Sequence, residues 1–396
     1  MSWAGPFQYE IGKSRQAHLS STGFDAAARE HFPTLLCLSH LRWNFVYQRP
    51  QHLMSRFARD YNVLFFEEPL PTDDPNPWLE EIDADLGITR LVPRFPVGLE
   101  GEAAEAVLKR LLDRRLEEAD IQEAVLWYYT PMSLPFSQHI KASITVYDCM
   151  DELSAFRGAP PAMLERERQL LEKANVVFTG GYSLYEAKRE RHKNAHPFPS
   201  SVDIAHFAQA REEQADPADQ AAIPHPRLGF YGVIDERLDI DLLDTIAQQR
   251  PDWHIVLIGP VVKIAPESLP KRDNIHLLGG KVYDELPHYL AGWDVAIMPF
   301  ALNESTRFIS PTKTPEYLAG GKPVVSTPIT DVVRTYGQSG VVRIADSAEA
   351  FISAVEASLV DAQDREGLLK AADAILGEMS WDTTWQGMTE QMKCAR

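Results

Sequence analysis

The chain has 396 residues but only three cysteines, Cys37, Cys149 and Cys394, and no CxxC spacing. An odd, scattered set in a long chain excludes a disulfide framework and makes the cytoplasm the expected compartment. Long hydrophobic runs are also missing. The longest, TLLCLSHL and HIVLIGPVV, fall far short of the roughly 20 residues that span a bilayer. The segment MSWAGPFQYEIGK has no basic stretch leading into an apolar one, so no signal peptide is expected. Positive charge is in deficit: 39 Lys and Arg stand against 57 Asp and Glu, a net charge of −18. So acidic a chain lacks the basic face that nucleic acid requires, and any membrane association is expected to be weak and peripheral.

Several chemical signatures are absent as well. Without HExxH or a Cys/His ligand spacing, no zinc site is expected. Without GxGxxG, a nicotinamide site loses its main support, and without GxSxG there is no hydrolase elbow. Two DxD strings, Asp83-Ala84-Asp85 and Asp239-Ile240-Asp241, follow no convincing strand and are expected by chance in an acidic chain. No metal ligand is assigned.

What is present is ordinary globular composition, 44% hydrophobic and 24% charged, with length for two to three domains at about 150 residues each. After residues 1–30, which carry no clear period, short apolar runs alternate with amphipathic ones. TLLCLSH, NVLFFEEP, ITRLVPRFP, AVLWYYTP, SITVYDCMDE and NVVFTGG read as strands, separated by helices such as RPQHLMSRFARD and PAMLERERQLLEKA. The alternation lapses in QAREEQADPADQAAIPHP and restarts with RLGFYGV, DWHIVLIGP, NIHLLGG, DVAIMPF and KPVVST. The expected organisation is an extension over 1–30, a domain over 31–205, a linker over 206–226, a second domain over 227–378 and a closing helix over 379–396. Both domains are expected to be doubly wound α/β sheets facing a central cleft, with ligands at strand carboxyl ends. Cys37 and Cys149, in apolar strands, are expected in the core.

The segment with most chemistry is SPTKTPEYLAGGKPVVST, residues 310–327. Ser310-Pro311 or Thr314-Pro315 offers an N-cap and first helical residue, and Gly320-Gly321 ends the helix. Backbone N–H groups of Ser310, Thr312 and their neighbours would then face an anion. Lys313 adds a point charge suited to a diphosphate, and Glu316 a carboxylate able to accept two ribose hydroxyls. The plain alternative is a capped helix with a surface Lys and Glu.

With Glu316 followed by YLAGGKPVVST, the segment resembles the donor-site helix of GT-B glycosyltransferases of the family 4 (group 1) type found in bacterial polysaccharide biosynthesis. FYGVIDERLDIDLL, IHLLGGKVYDELPHYLAGWDVAIMPF and PSSVDIAHF resemble further blocks of that family, in order, from about Asn194 to Thr327. The resemblance implies a diphosphate held by Ser310, Pro311, Thr312, Lys313 and Arg237, a ribose on Glu316, and largely backbone contacts around Gly232, Gly259, Gly279 and Lys281. Two departures stand out. The family often carries a first glutamate eight positions before Glu316, where this chain has Phe308, leaving Asn303 or Glu304 to replace it. Arg commonly follows the first glycine, where this chain has Val233.

The amino-terminal half offers SHLRWNFVYQRPQHLMSRF. His40, Arg42, Trp43, Tyr47, Gln48, Arg49 and His52 interleave aromatic and polar groups, a mixture suited to sugar rings and hydroxyls, and the segment resembles the family's loop after its first strand. The alternative is aromatics packed under a long loop. Asp148 and Asp151 end another strand and are candidates for an acceptor base or hydroxyl ligand, or equally for helix caps. Tyr129 stands where many family members carry a histidine. In GT-B enzymes the last helix commonly returns to the first domain, and the Ser380-Trp381 start fits that. The expectation is transfer of a hexose-type sugar from a nucleotide-diphosphate donor, a UDP-sugar favoured, to a hydroxyl of a glycan or lipid-linked acceptor. It is retaining, metal-independent and without cofactor. The alternatives are a degenerate nucleotide-sugar-binding or scaffold protein and a GT-B sugar-nucleotide epimerase.

Overall fold

A computed structural model describes residues 31–396 except Asp85 and Glu378; the extension over 1–30 and Asp85 of the first DxD string lie outside the described residues. The described chain forms two compact units, residues 31–198 with 384–396, and residues 199–383.

The first unit is built on strands β1 (Thr34–Leu38), β2 (Asn62–Phe66), β3 (Leu70–Thr72), β4 (Trp78–Asp83), β5 (Ile88–Pro96), β6 (Ala124–Tyr128), β7 (Ala142–Cys149), β8 (Val176–Thr179) and β9 (Ala195–Pro197). The sheet runs β3-β5-β2-β1-β6-β7-β8-β9. All pairs are parallel except β4 with β5. The central strand explains the composition of TLLCL: Leu35 to Leu38 are wholly buried, as a parallel strand covered on both faces must be. Cys37 and Cys149 are core residues, and burial pushes both thiols up. The helix Gly101–Glu118 buries Val107, Leu108, Leu112 and Leu116 at helical spacing and leaves its charges outward. β4, half exposed as WLEEID, is an edge strand that the alternation did not announce.

The second unit has β10 (Arg227–Tyr231), β11 (His254–Ile258), β12 (Ile275–Leu277), β13 (Val295–Met298), β14 (Val324–Ser326) and β15 (Val342–Ile344), all parallel. Their order, β12-β11-β10-β13-β14-β15, is the 3-2-1-4-5-6 arrangement of a doubly wound sheet. The order reverses between β10 and β13 here, and between β1 and β6 in the first unit. Those two points are where loops part and ligands find room.

Residues 206–226, expected as a linker, are instead part of the second unit. The helix Ile204–Ala208 buries Phe207, and wholly buried Gln220 donates to the Tyr289 carbonyl at 3.1 Å while accepting from Trp293 Nε1 at 3.0 Å. Its polar composition hid it, because the segment is held by hydrogen bonds and by an Arg227–Asp216 ion pair at 2.8 Å rather than by an apolar stripe. The chain crosses to the second unit at 198/199. The last helix, Trp381–Cys394, carries it back: Thr384 onward belongs to the first unit, where Met388 and Met392 are buried and Trp385 meets Phe57.

One buried charge in the second unit has a testable consequence. Lys322 Nζ donates to the Ala291 and Trp293 carbonyls, both at 2.8 Å, and burial pulls its pKa down to about 8 from the usual 10.5. Between those values the unfolded chain holds a proton that the folded chain has lost, so folding stability rises with pH there. Below about pH 8 the cost of burying the ammonium is constant. Relative to Lys322→Met, the parent chain is expected to gain about 3 kcal/mol between pH 8 and 10.5. Urea unfolding of both chains across that range reads it, and parallel curves would refute it.

Candidate functional site

At the carboxyl edge of the second sheet, three glycines lie side by side just past β10, β11 and β12. Gly232 N–H donates to the Ile258 carbonyl at 2.8 Å, and Gly259 N–H donates to the Gly279 carbonyl at 2.9 Å. Gly232 and Gly259 have φ of +145° and +144°, where a side chain is strained. Space forbids one as well. A methyl group on Gly232 would sit 2.3 Å from Lys313 Cε, and one on Gly259 would sit 1.8 Å from the Gly232 carbonyl oxygen. The glycines therefore let the Lys313 stem lie directly on the backbone at the end of β10, with its ammonium 5.9 Å from the centre of the Phe230 ring.

Lys313 opens the short helix Lys313–Ala319, which has Thr312 as its N-cap. Neither Ser310 nor Thr314 takes that place. Ser310 and Pro311 belong to the approach to the helix. Glu316 is 8% exposed. Burial pushes its carboxyl above the ordinary range, against the pull of the Lys313 ammonium and the Tyr231 and Thr312 hydroxyls. A buried carboxylate beside a lysine, with capacity for further hydroxyl donors, is an arrangement for holding a diol next to an anion.

Arg237 stands in the loop after β10 and is gripped by Asp235, with Nε at 2.9 and 3.1 Å from the two carboxylate oxygens and a second nitrogen at 2.8 Å. Asp235 is 2% exposed, so the guanidinium is fixed from beneath. The Lys281 side chain is engaged, its ammonium bound to Asp219 at 2.5 Å and 5.2 Å from the Tyr289 ring centre, which leaves its backbone for the expected contact. Asn303 is a correction. Its Oδ1 accepts from Ser305 N–H at 3.0 Å and its Nδ2 donates to the Glu236 carbonyl at 3.1 Å, so it builds the loop, while Glu304 is exposed. The Phe308 ring carries the Arg307 guanidinium at 5.1 Å. Asp239 caps the helix Ile240–Gln249 through the Leu242 N–H at 2.9 Å, which gives the second DxD string a structural role.

In the first unit the residues divide. His40, past β1, and Thr130, past β6, line a small pocket with Glu68, Met132, Leu153 and Met163 at the point where strand order reverses. Tyr47 and His52 meet edge to face at 4.7 Å. Gln48 precedes the helix Arg49–Phe57, its N–H donating to Gln51 Oε1 at 3.1 Å. Others are corrected. Trp43 is 4% exposed and packs on Phe65 at 5.0 Å, so it is core. Arg42 donates to the Glu68 and Pro69 carbonyls at 3.1 and 3.2 Å, fastening its own loop. Arg49 and Asp148 are 1% and 0% exposed and bind each other at 2.8 to 3.1 Å, with Arg49 also donating to the Phe198 carbonyl at 2.6 Å. Both are consumed by that pair and cannot also face a substrate. Tyr129, 1% exposed, lies beside it, and burial pushes its phenol well above the usual range. Asp151 follows in the turn after β7, its carbonyl accepting from Leu153 N–H at 3.1 Å.

Two doubly wound parallel units with a final helix returning to the first define the GT-B architecture, and solved structures share it. Sucrose-phosphate synthase from Thermosynechococcus elongatus superposes with a TM-score of 0.70 at 16% identity, over 92% of this chain and 98% of that one. The Anabaena protein HepE, solved in complex with UDP and glucose, gives 0.65 at 15% identity over 91% and 99%. Residues 225–361, within the second unit, match the family model described as glycosyl transferases group 1. A Bacillus subtilis (strain 168) chain bearing the provisional name teichuronic acid biosynthesis glycosyltransferase TuaH is 26% identical over 225 residues, 53% of this chain and 56% of that one. The matched region thus spans little more than half of that relative. Among the described residues no helix is long and apolar enough to cross a membrane.

Proposed function

We propose that this chain is a glycosyltransferase of the family 4 type that takes a hexose-type sugar from a nucleoside-diphosphate donor, UDP-linked, and passes it to a hydroxyl of a glycan or lipid-linked acceptor. The observation that carries the reading is Lys313 laid on Gly232, with buried Glu316 one turn further, at the carboxyl edge of the second sheet. Lys313 is assigned to the diphosphate and Glu316 to the ribose. The UDP and glucose of the HepE complex and the name of TuaH support the choice of donor and of a polysaccharide context. The acceptor is assigned to the first unit, around His40 and Tyr47; His52, 3% exposed, supports Tyr47 from beneath.

As the bond between the anomeric carbon and the diphosphate oxygen breaks, negative charge collects on the departing group. Lys313 and the Asp235-anchored Arg237 are fixed cations that lower the energy of that charge, so no metal is required in this reading. The acceptor oxygen bonds to the same face of the carbon and its proton passes to the departing phosphate, which retains configuration. The test is calorimetric titration with UDP, GDP, ADP and dTDP. One nucleotide is expected to bind, and Glu316→Ala and Lys313→Ala each to weaken it tenfold or more, about 1.4 kcal/mol. Equal affinity in parent and variants would remove the site assignment, and no binding at millimolar nucleotide would remove the function.

A further inference from the structure

One carboxylate at the same edge has no assigned task. Both oxygens of Glu236 are buried, and among the described residues neither accepts a hydrogen bond, although the residue as a whole is only half-buried. Buried carboxylates are otherwise paired or hydrogen-bonded, because losing water without a replacement donor is costly. The neighbouring cation is not its partner: Arg237 is held in a bidentate pair by Asp235.

The backbone around Glu236 is fastened on purpose. Its carbonyl accepts from Asn303 Nδ2 at 3.1 Å, the Arg237 carbonyl accepts from Ala301 N–H at 2.8 Å, and Asp239 N–H donates to the Pro299 carbonyl at 2.8 Å. Leu238 and Phe300 add an antiparallel bridge. The loop after β10 is thereby stapled to the loop after β13, at the point where strand order reverses. An acceptor-only group is thus presented rigidly where a doubly wound sheet takes its ligand.

We propose that Glu236 is the sugar-recognising carboxylate of this site, accepting hydroxyl hydrogen bonds from the glycosyl group of the donor. The inference rests on the donor site proposed above. A diphosphate cannot be the partner, since two anions would meet in a buried place. A neutral polyol supplies O–H donors and brings no charge, which is what two orphaned acceptor oxygens require.

Calorimetry on the full chain separates this idea from the donor-site reading. UDP reports the nucleotide subsite, and UDP-glucose, UDP-galactose and UDP-N-acetylglucosamine report the sugar. Glu236→Ala is expected to leave UDP affinity within twofold. The extra affinity of the parent's preferred UDP-sugar over UDP is expected to fall tenfold or more. Because no side-chain hydrogen bond among the described residues is lost, the variant is expected to melt no lower than the parent. An unchanged UDP-sugar to UDP ratio, no UDP-sugar distinguishable from UDP in the parent, or a melting temperature several degrees lower would overturn the assignment. If the parent binds no UDP, the donor-site reading fails first and this inference falls with it.

Discussion

Asp148→Ala is expected to cost about 3–5 kcal/mol of folding stability. The reason lies in what remains. Arg49 would be left 1% exposed, with one carbonyl partner, Phe198, and no carboxylate bonded to it. The pair also joins distant parts of the chain, the start of the helix Arg49–Phe57 to the end of β7. Removing both charges is expected to hurt less than removing one, so Arg49→Met with Asp148→Leu should recover part of the loss. Urea unfolding measures all three. Were Asp148 a catalytic base instead, Asp148→Ala would abolish turnover while unfolding within about 0.5 kcal/mol of the parent. That outcome would return Asp148 to the reaction.

Gly259→Ala is expected to cost about 3 kcal/mol or more, from backbone strain at positive φ together with overpacking. The added methyl would meet a carbonyl, not the end of a flexible side chain, so relief requires β10 and β11 to part. The carbonyl belongs to Gly232, on which Lys313 lies, so the damage is predicted to spread to nucleotide affinity. Thermal unfolding with and without UDP reads both effects. A variant that melts within a degree or two of the parent and binds UDP normally would show that the three-glycine edge has slack.

Strand and helix order was legible because most of the apolar runs are parallel strands buried on both faces, a signal that needs no partner to be recognised; Ile275–Leu277, half-exposed, is the exception. The donor segment was legible for a related reason: Lys313 and Glu316 sit on one short helix, so sequence spacing is nearly spatial spacing. The first unit was read less well. Arg49 and Asp148 are 99 positions apart, and nothing local distinguishes a buried ion pair from two polar groups awaiting a substrate. Trp43 was misread because its alternation with polar neighbours describes a loop folded onto Phe65 as well as it describes a sugar platform. The Lys281–Asp219 ion pair was hidden as well, because Asp219 lies in the segment thought to be a linker. Glu236 went unnoticed because an orphaned oxygen is a statement about neighbours that are absent, and sequence records only those that are present.

The return of the last helix also fixes an order of assembly. The described residues of the second unit are all polymerised before Thr384, whereas the first unit waits for Trp385 to reach Phe57 and for Met388 and Met392 to close over its core. The earlier-made half is therefore the later finished, and it spends the synthesis of about 185 residues with an apolar face open, a dwell of roughly 10–40 s at ordinary elongation rates. A gene cut at 198 would leave that vacancy permanent, while the inserted half, 199 to 383 among the described residues, has a core of its own.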